Sequence, residues 1–314
     1  MSAYLANLVT IVGLNVVFAL GLNIISGMCG QVSLGHAAFI GVGAYAAGML
    51  AKLGWPIVAT VPVAGLLAAL VGVAVGLVAL RVREDFLAIA TMGIGFVFVG
   101  FVRKRDWLGG EMGISGIPAS ELAGPAFALL VLGLVVVALV LSLQIARSWV
   151  GFTFSAIASD EDVVRLLGID VTRHKLLAFA LGTLLAGLAG GLYAHYTRFV
   201  LPDAFGFLLS ISILSMVVIG GVGSTWGVLV AAIVLSLLPE LFRVVNDYKL
   251  AIYGLLLLLM MRFAPGGLAS LLRPRAAPAT VPAGATAHGP AAPTRGSSAR
   301  DAHAEAGRDA GVAP

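Results

Sequence analysis

The sequence predicts an all-α integral membrane protein, a polytopic bundle of about eight to ten transmembrane helices with a hint of two related halves that carry broken helices. Three observations predict it. Hydrophobic residues make up 60% of the chain and charged residues 11%, against about 25% charged in soluble domains. Apolar runs near the spanning length of about 20 residues recur along most of the sequence. The charges fall in short interludes between those runs, as lipid requires when an Arg, Lys or Asp at the bilayer centre costs roughly 2.5 to 3.5 kcal/mol.

The runs are Tyr4–Ile25, Leu34–Leu53, Pro56–Leu80, Phe86–Val102, Pro125–Ile145, Leu176–Tyr196, Phe205–Gly221, Trp226–Val245 and the shorter Leu250–Phe263. The first lacks a basic leader region and a separate small-x-small cleavage site, which predicts a retained helix instead of a signal peptide. Gly27–Gly30 and Gly220–Gly227 read as breaks inside the bilayer, tolerated where protein or a water-filled cavity covers the backbone. The small-residue segments Gly27–Tyr45 and Gly220–Ala232 occupy loosely corresponding places and carry the hint of an internal repeat.

The longest polar stretch between runs, Arg147–Lys175, contains Arg147, Arg165, Arg173 and Lys175, and the bias of basic residues toward the inside predicts that it is cytoplasmic. Alternation then puts Arg81, Arg83 and the tail with Arg273 and Arg275 inside. It puts Arg103, Lys104 and Arg105 outside, against the bias, unless a re-entrant segment intervenes; the loop from Arg103 to Ala123 is predicted external and the N-terminal orientation is left open. Residues 274–314 are Ala, Pro, Gly, Ser and Thr with scattered charges and predict a disordered cytoplasmic tail after a permeation domain over 1–273.

Several function classes are disfavoured. The single Cys29 excludes an internal disulfide, and no Cys or His cluster has metal-ligand spacing. No metal site, cofactor or catalytic residue is predicted, since paired carboxylates and a Ser-His arrangement are absent too. Basic residues are dispersed over many loops, which argues against nucleic acid. No Gly-x-x-x-x-Gly-Lys-Ser/Thr loop occurs, so the chain lacks the usual phosphate cradle. The runs hold few Asp, Glu or His residues of the kind ion-coupled carriers use.

Ser159–Gly168 predicts one short helix outside the membrane: Ser159 as N-cap, Asp160, Glu161 and Asp162 in the first turn, Gly168 as stop. Val163, Val164 and Leu167 are placed on one side as an apolar knob, either packed back on the membrane domain or docking a cytoplasmic subunit. Gln31, Ser33 and His36, beside glycines at the end of a run, are candidates to line a path for a zwitterion, with helix-to-helix adhesion as the alternative. The glycine pairs 72/76, 187/191 and 223/227 have the spacing of close helix packing.

Four segments carry a specific resemblance: Gly30-Gln-Val-Ser-Leu-Gly-His-Ala-Ala-Phe-Ile-Gly-Val-Gly-Ala-Tyr45, Leu167-Gly-Ile-Asp-Val-Thr-Arg-His-Lys-Leu-Leu-Ala-Phe179, Ala186-Gly-Leu-Ala-Gly-Gly-Leu-Tyr-Ala194 and Gly220-Gly-Val-Gly-Ser224. In that order, over Val9 to Leu268, they resemble the LivM-type permeases of branched-chain amino acid ABC importers. The resemblance implies that the helix before Leu167 is a coupling helix seated in a groove of an ATPase, with the family's Glu-x-Ala-Ala-x-x-x-Gly pattern falling on Glu161, Val163, Val164 and Gly168. Two departures stand out: Gly151-Phe-Thr-Phe-Ser-Ala-Ile-Ala158 lacks the arginines of the family's run, and Trp107-Leu-Gly-Gly110 replaces an Asn-x-Thr-Gly-Gly element.

The resemblance further implies a non-enzymatic transport subunit of the bacterial cytoplasmic (inner) membrane. Its partners would be two cytoplasmic ATP-binding subunits, a second related permease and an extracytoplasmic solute-binding protein, with Asp160, Glu161, Asp162, Val163, Val164, Leu167 and Gly168 as the ATPase-coupling residues. Hydrophobic amino acids are the expected cargo. Urea or short amides in the same machinery, or an ion-coupled secondary carrier, are the alternatives.

Overall fold

A span that is apolar all round must be covered on every side, and one that is apolar with small residues on a stripe can bring a neighbour's backbone close. Both kinds occur here. The computed structural model describes residues 3–79, 84–119, 122, 124–241, 249–263 and 266–268. It consists of helices α1 (Ala3–Leu22, continued by a wide π turn over Asn23–Met28), α2 (His36–Lys52), α3 (Ile57–Ala79), α4 (Glu84–Arg103), α5 (Pro125–Arg147), α6 (Trp149–Ser159), α7 (Glu161–Leu166), α8 (Val171–Thr197), α9 (Phe207–Gly220), α10 (Thr225–Leu241) and α11 (Lys249–Phe263). One two-stranded ribbon, β1 (Ile114–Ser115) and β2 (Phe199–Val200), completes it.

Each predicted run overlaps one helix: α1 to α5 in order, then α8 to α11. Among the described residues six helical segments are long and apolar enough to cross a membrane. The starts differ where polar residues sit on helical turns: α8 begins at Val171, five residues before the predicted Leu176, because Asp170 caps it by accepting from the Arg173 amide at 3.1 Å. The predicted boundary at 273/274, the 274–314 tail, Arg81, Arg83, Arg273, Arg275 and the end of the Trp226–Val245 run lie outside the described residues.

α8 is the central post, 27 residues long and therefore about 40 Å at 1.5 Å per residue. It packs most extensively on α2 and α3. Gly187 faces both: a Cβ there would fall 2.3 Å from the Ala68 Cβ, and a Cβ on Gly43 would fall 2.5 Å from the Gly187 Cα. Only residues without side-chain bulk let three backbones meet this closely. Phe39 and Phe179 fill the layer beside them edge to face, 6.4 Å between ring centres. α1, enclosed on most sides, packs on α5, α8, α9 and α10, whereas α4 is largely open to the surroundings. Polar side-chain clasps cross helices, among them Ser142 with Thr225 at 3.1 Å and Thr60 with His195 Nε2 at 2.7 Å. His195 is a buried clasp between α3 and α8.

The two glycine-rich breaks are real and they meet. Between the π turn and α2 the chain leaves the helical path over Cys29–Gly35, and between α9 and α10 it does so over Gly221–Ser224. Asn23 Oδ1 accepts from the Gly223 amide at 3.1 Å, and a Cβ on Gly27 would lie 2.6 Å from the Gly223 nitrogen. Gly223 has φ +82°, a conformation that costs any other residue strain. The glycine pair 223/227 thus serves the break, while 72/76 and 187/191 pack helices.

α7 immediately precedes the start of α8, and β2 follows its end; β1 pairs antiparallel with β2, Ile114 opposite Val200. The loop between α4 and α5 therefore sits at the end of the bundle opposite α7. Its basic cluster is partly neutralised there: Arg103 bonds Asp203 at 2.5 Å and Arg105 lies over the Phe101 ring at 5.2 Å. No re-entrant segment intervenes among the described residues, since α4 and α5 both run unbroken.

Candidate functional site

The end of the bundle that carries α7 is shaped by where helices stop. α6 is an additional helix that the sequence reading left inside a polar stretch, because an 11-residue apolar run is too short to register as a span. Ser148 starts it by accepting from the Gly151 amide at 3.4 Å. α6 continues to Ser159, whose hydroxyl turns back to the Ser155 carbonyl at 2.9 Å. The cap of α7 is therefore Asp160, not Ser159. Asp160 is extended, with φ −161°, and its carboxylate accepts from the Asp162 and Val163 amides at 2.9 and 3.1 Å. Gly168, with φ +78°, ends the segment as predicted, and its amide reaches the Arg165 carbonyl at 3.0 Å.

α7 has two faces, and the helical period sorts them. Residues 161 and 164 are one turn apart, and both turn toward the bundle: Val164 is buried and the Glu161 side chain is 12% exposed. Val163, Leu166 and Leu167 share the opposite face and are 52%, 87% and 73% exposed. The predicted knob of Val163, Val164 and Leu167 is corrected accordingly. Consecutive positions differ by about 100° around a helix, so Val163 and Val164 diverge, and Leu166 takes the place of Val164.

On the inward face the Glu161 carboxylate lies between two cations. Arg165 donates to it at 2.9 Å and also to Asp162 at 3.0 Å; the Lys175 ammonium, from the second turn of α8, forms an ion pair with its other oxygen. The Lys175 side chain is 7% exposed. Its backbone carbonyl accepts from Gln31 Nε2 at 3.2 Å.

Gln31 belongs to the first break. Its amide donates to the Ile25 carbonyl at 3.1 Å, and the Ser26 hydroxyl donates to its carbonyl at 2.8 Å. Three further backbone donors at the break meet hydroxyls: Ser33 N to Ser26 at 3.3 Å, Leu34 N to Thr91 at 3.0 Å, Ala37 N to Ser210 at 3.0 Å. Such pairing is what non-helical backbone in apolar surroundings demands. Gln31, Ser33 and His36 are all buried in this closed packing and line none of the described cavities. Yet Gln31 Oε1, Ser33 Oγ and both His36 ring nitrogens lack a well-formed hydrogen bond among the described residues.

A cavity of about 580 Å³ opens beside the meeting breaks, lined by Gly27, Met28, Gly223, Ser224 and, from α6, Ser155 and Ser159. Among the described residues no charged side chain lines it. Sequence reading missed Asn23, Ser155 and Ser224. Gly27 and Gly223 were the available signal, but nothing in one dimension says that they touch. The described residues contain no group of three or more His, Cys, Asp or Glu arranged to hold a metal ion.

A family model described as branched-chain amino acid transport system / permease component matches residues 4–261. The chain belongs to this family. It is 34% identical over 300 residues to the high-affinity branched-chain amino acid transport system permease protein LivM of Escherichia coli (strain K12), covering 86% of this chain and 71% of that one. It is 25% identical over 295 residues to LivH of the same strain, over 83% and 93% of the two chains, and 30% identical over 202 residues to the autoinducer 2 import permease LsrC of Enterobacter sp. (strain 638), over 63% and 57%. No solved structure matches. With its apolar helices, the family places the chain as a multi-pass protein of the inner membrane, and its relatives are transport permeases.

Proposed function

We propose that this chain is the membrane-spanning subunit of an ATP-binding cassette importer for branched-chain or similar hydrophobic amino acids, driven by two cytoplasmic ATP-binding subunits that grip α7. The observation that carries the reading is the two-faced α7. A six-residue helix, capped at both ends and tied inward by Glu161 and Val164, presents Val163, Leu166 and Leu167 to the surroundings; three large apolar side chains outside the membrane layer call for a protein groove. In this reading the α7 end faces the cytoplasm and the β1–β2 end faces the delivering solute-binding protein. A second, related permease completes the path, a reading supported by the likeness to both LivM and LivH.

Binding and hydrolysis of ATP would move α7 as a rigid element and switch the path between outward and inward openings. The Gln31, Ser33 and His36 atoms that lack a well-formed hydrogen bond support a role for these residues once the break parts, since polar groups retained in a bilayer are commonly functional. Other small cargoes, urea and short amides among them, fit the same machinery, as the likeness to an autoinducer 2 permease suggests. An ion-coupled carrier is disfavoured by the scarcity of ionisable side chains within the described spans. Proteoliposomes are the test: the complete importer with its binding protein should accumulate radiolabelled leucine only when ATP reaches the ATPases, and this chain alone should accumulate none under a proton or sodium gradient. Gradient-driven accumulation by the chain alone overturns the proposal.

A further inference from the structure

Charged pairs at the α7 end differ in how far water reaches them. Arg165 with Asp162 and Arg173 with Asp170 are solvent-exposed, and such pairs shift and re-form at little cost. Glu161 and Lys175 are nearly closed off. A buried pair of this kind is stiff, because parting it strands the Lys175 charge without water and leaves Glu161 to Arg165 alone.

The pair also sits at the head of a continuous series of contacts. α7 holds Glu161; Glu161 holds Lys175 on α8; the Lys175 carbonyl holds Gln31. Gln31 is bonded on both sides of its backbone to Ile25 and Ser26 in the π turn of α1. The same turn brings Asn23 and Gly27 against Gly223 in the second break. Resting on the reading of α7 as the docking helix, we propose that the Glu161–Lys175 ion pair is the positioning link that carries displacement of α7 into the paired helix breaks. Glu161 thus acts inward on its own chain, while Val163, Leu166 and Leu167 meet the ATPase.

Glu161→Gln and Lys175→Met separate this role from mere support. Glu161→Gln alone leaves the buried Lys175 charge without its Glu161 counter-charge, and Lys175→Met leaves Glu161 with Arg165 as its remaining cation, so each should lower the yield of folded protein, the first more. The double variant removes both charges, so its yield should recover, and its docking face is untouched. In the complete reconstituted importer it should keep its ATPase subunits and hydrolyse ATP, yet leucine moved per ATP should fall by about tenfold, within the usual range of coupling between sites. Native leucine-per-ATP in the double variant overturns the link alone.

A second readout uses the unsubstituted chain. Its single cysteine, Cys29, is buried beside Gln31, whose Nε2 lies 3.3 Å from the sulfur. If displacement reaches the break, trapping the importer in its ATP-bound state should speed N-ethylmaleimide labelling of the Cys29 peptide, read by mass spectrometry, by about fivefold or more. A rate that nucleotide does not change overturns the link. Native protein that purifies without ATPases and moves leucine by itself overturns the docking reading, and the link with it.

Discussion

A chain carrying Val163→Asp, Leu166→Asp and Leu167→Asp is expected to reach the membrane folded and to lose ATP-driven uptake by about 100-fold or more, through loss of its ATPase partners. In the free chain these side chains are already more than half exposed, so charging them disturbs little, and surface substitutions usually stay within about 0.5 kcal/mol. In a docked groove the same carboxylates would be stripped of water without partners, and a few such central residues commonly account for most of an interface's affinity. Val164→Asp is the instructive contrast. Val164 is buried, so that change should detach α7 and reduce folded protein. Co-purification of the ATPases with each variant, beside its melting temperature, tells the two effects apart.

Gly187→Leu should leave almost no folded protein. A Cβ at Gly187 would already lie 2.3 Å from Ala68 Cβ, 2.9 Å from the Ala64 carbonyl and 3.0 Å from Gly65 Cα, closer than atoms approach. Two of the three obstacles are backbone, which no side-chain rotation relieves. Overpacking typically costs 1 to 3 kcal/mol, about the range expected for Gly187→Ala. Leucine adds three more carbons at the crossing of α2, α3 and α8 and should exceed it. Gly133→Leu is the control: a Cβ there meets nothing within 4 Å, and its effect should stay within about 0.5 kcal/mol. Monodisperse yield after detergent extraction, with thermal unfolding of what remains, measures all three.

Much of this was legible because lipid is a demanding solvent. It forces spanning backbone into helices and charges to the ends, so runs such as Pro125–Ile145 revealed α5 nearly to the residue. The breaks were legible for the same reason, as clustered glycines in apolar surroundings. Their meeting was not, because Asn23 and Gly223 are 200 positions apart and no periodicity relates them.

At α7 the sequence showed that a short helix exists and where it stops, since Gly168 has few other uses at that place. It misassigned the cap because Ser159 and Asp160 are both good caps, and the choice was made by α6, whose extent depends on packing. It misgrouped the exposed apolar face by joining Val163 with Val164 instead of following the helical period to Leu166. Glu161 was named for contact with a partner. Its inward turn toward Lys175 depends on how α7 lies against α8, which a one-dimensional reading does not contain.

The most direct test of the central claim, that α7 is where the driving subunits attach, is a photo-cross-linking amino acid placed at Leu166 in the complete importer in native membranes. The expected product is an adduct with the ATP-binding subunit, retained when the β1–β2 end is tagged in parallel at Met112 and yields no such adduct. Absence of the ATPase adduct at Leu166, together with labelling of that position by an impermeant reagent applied from outside the cell, would contradict it.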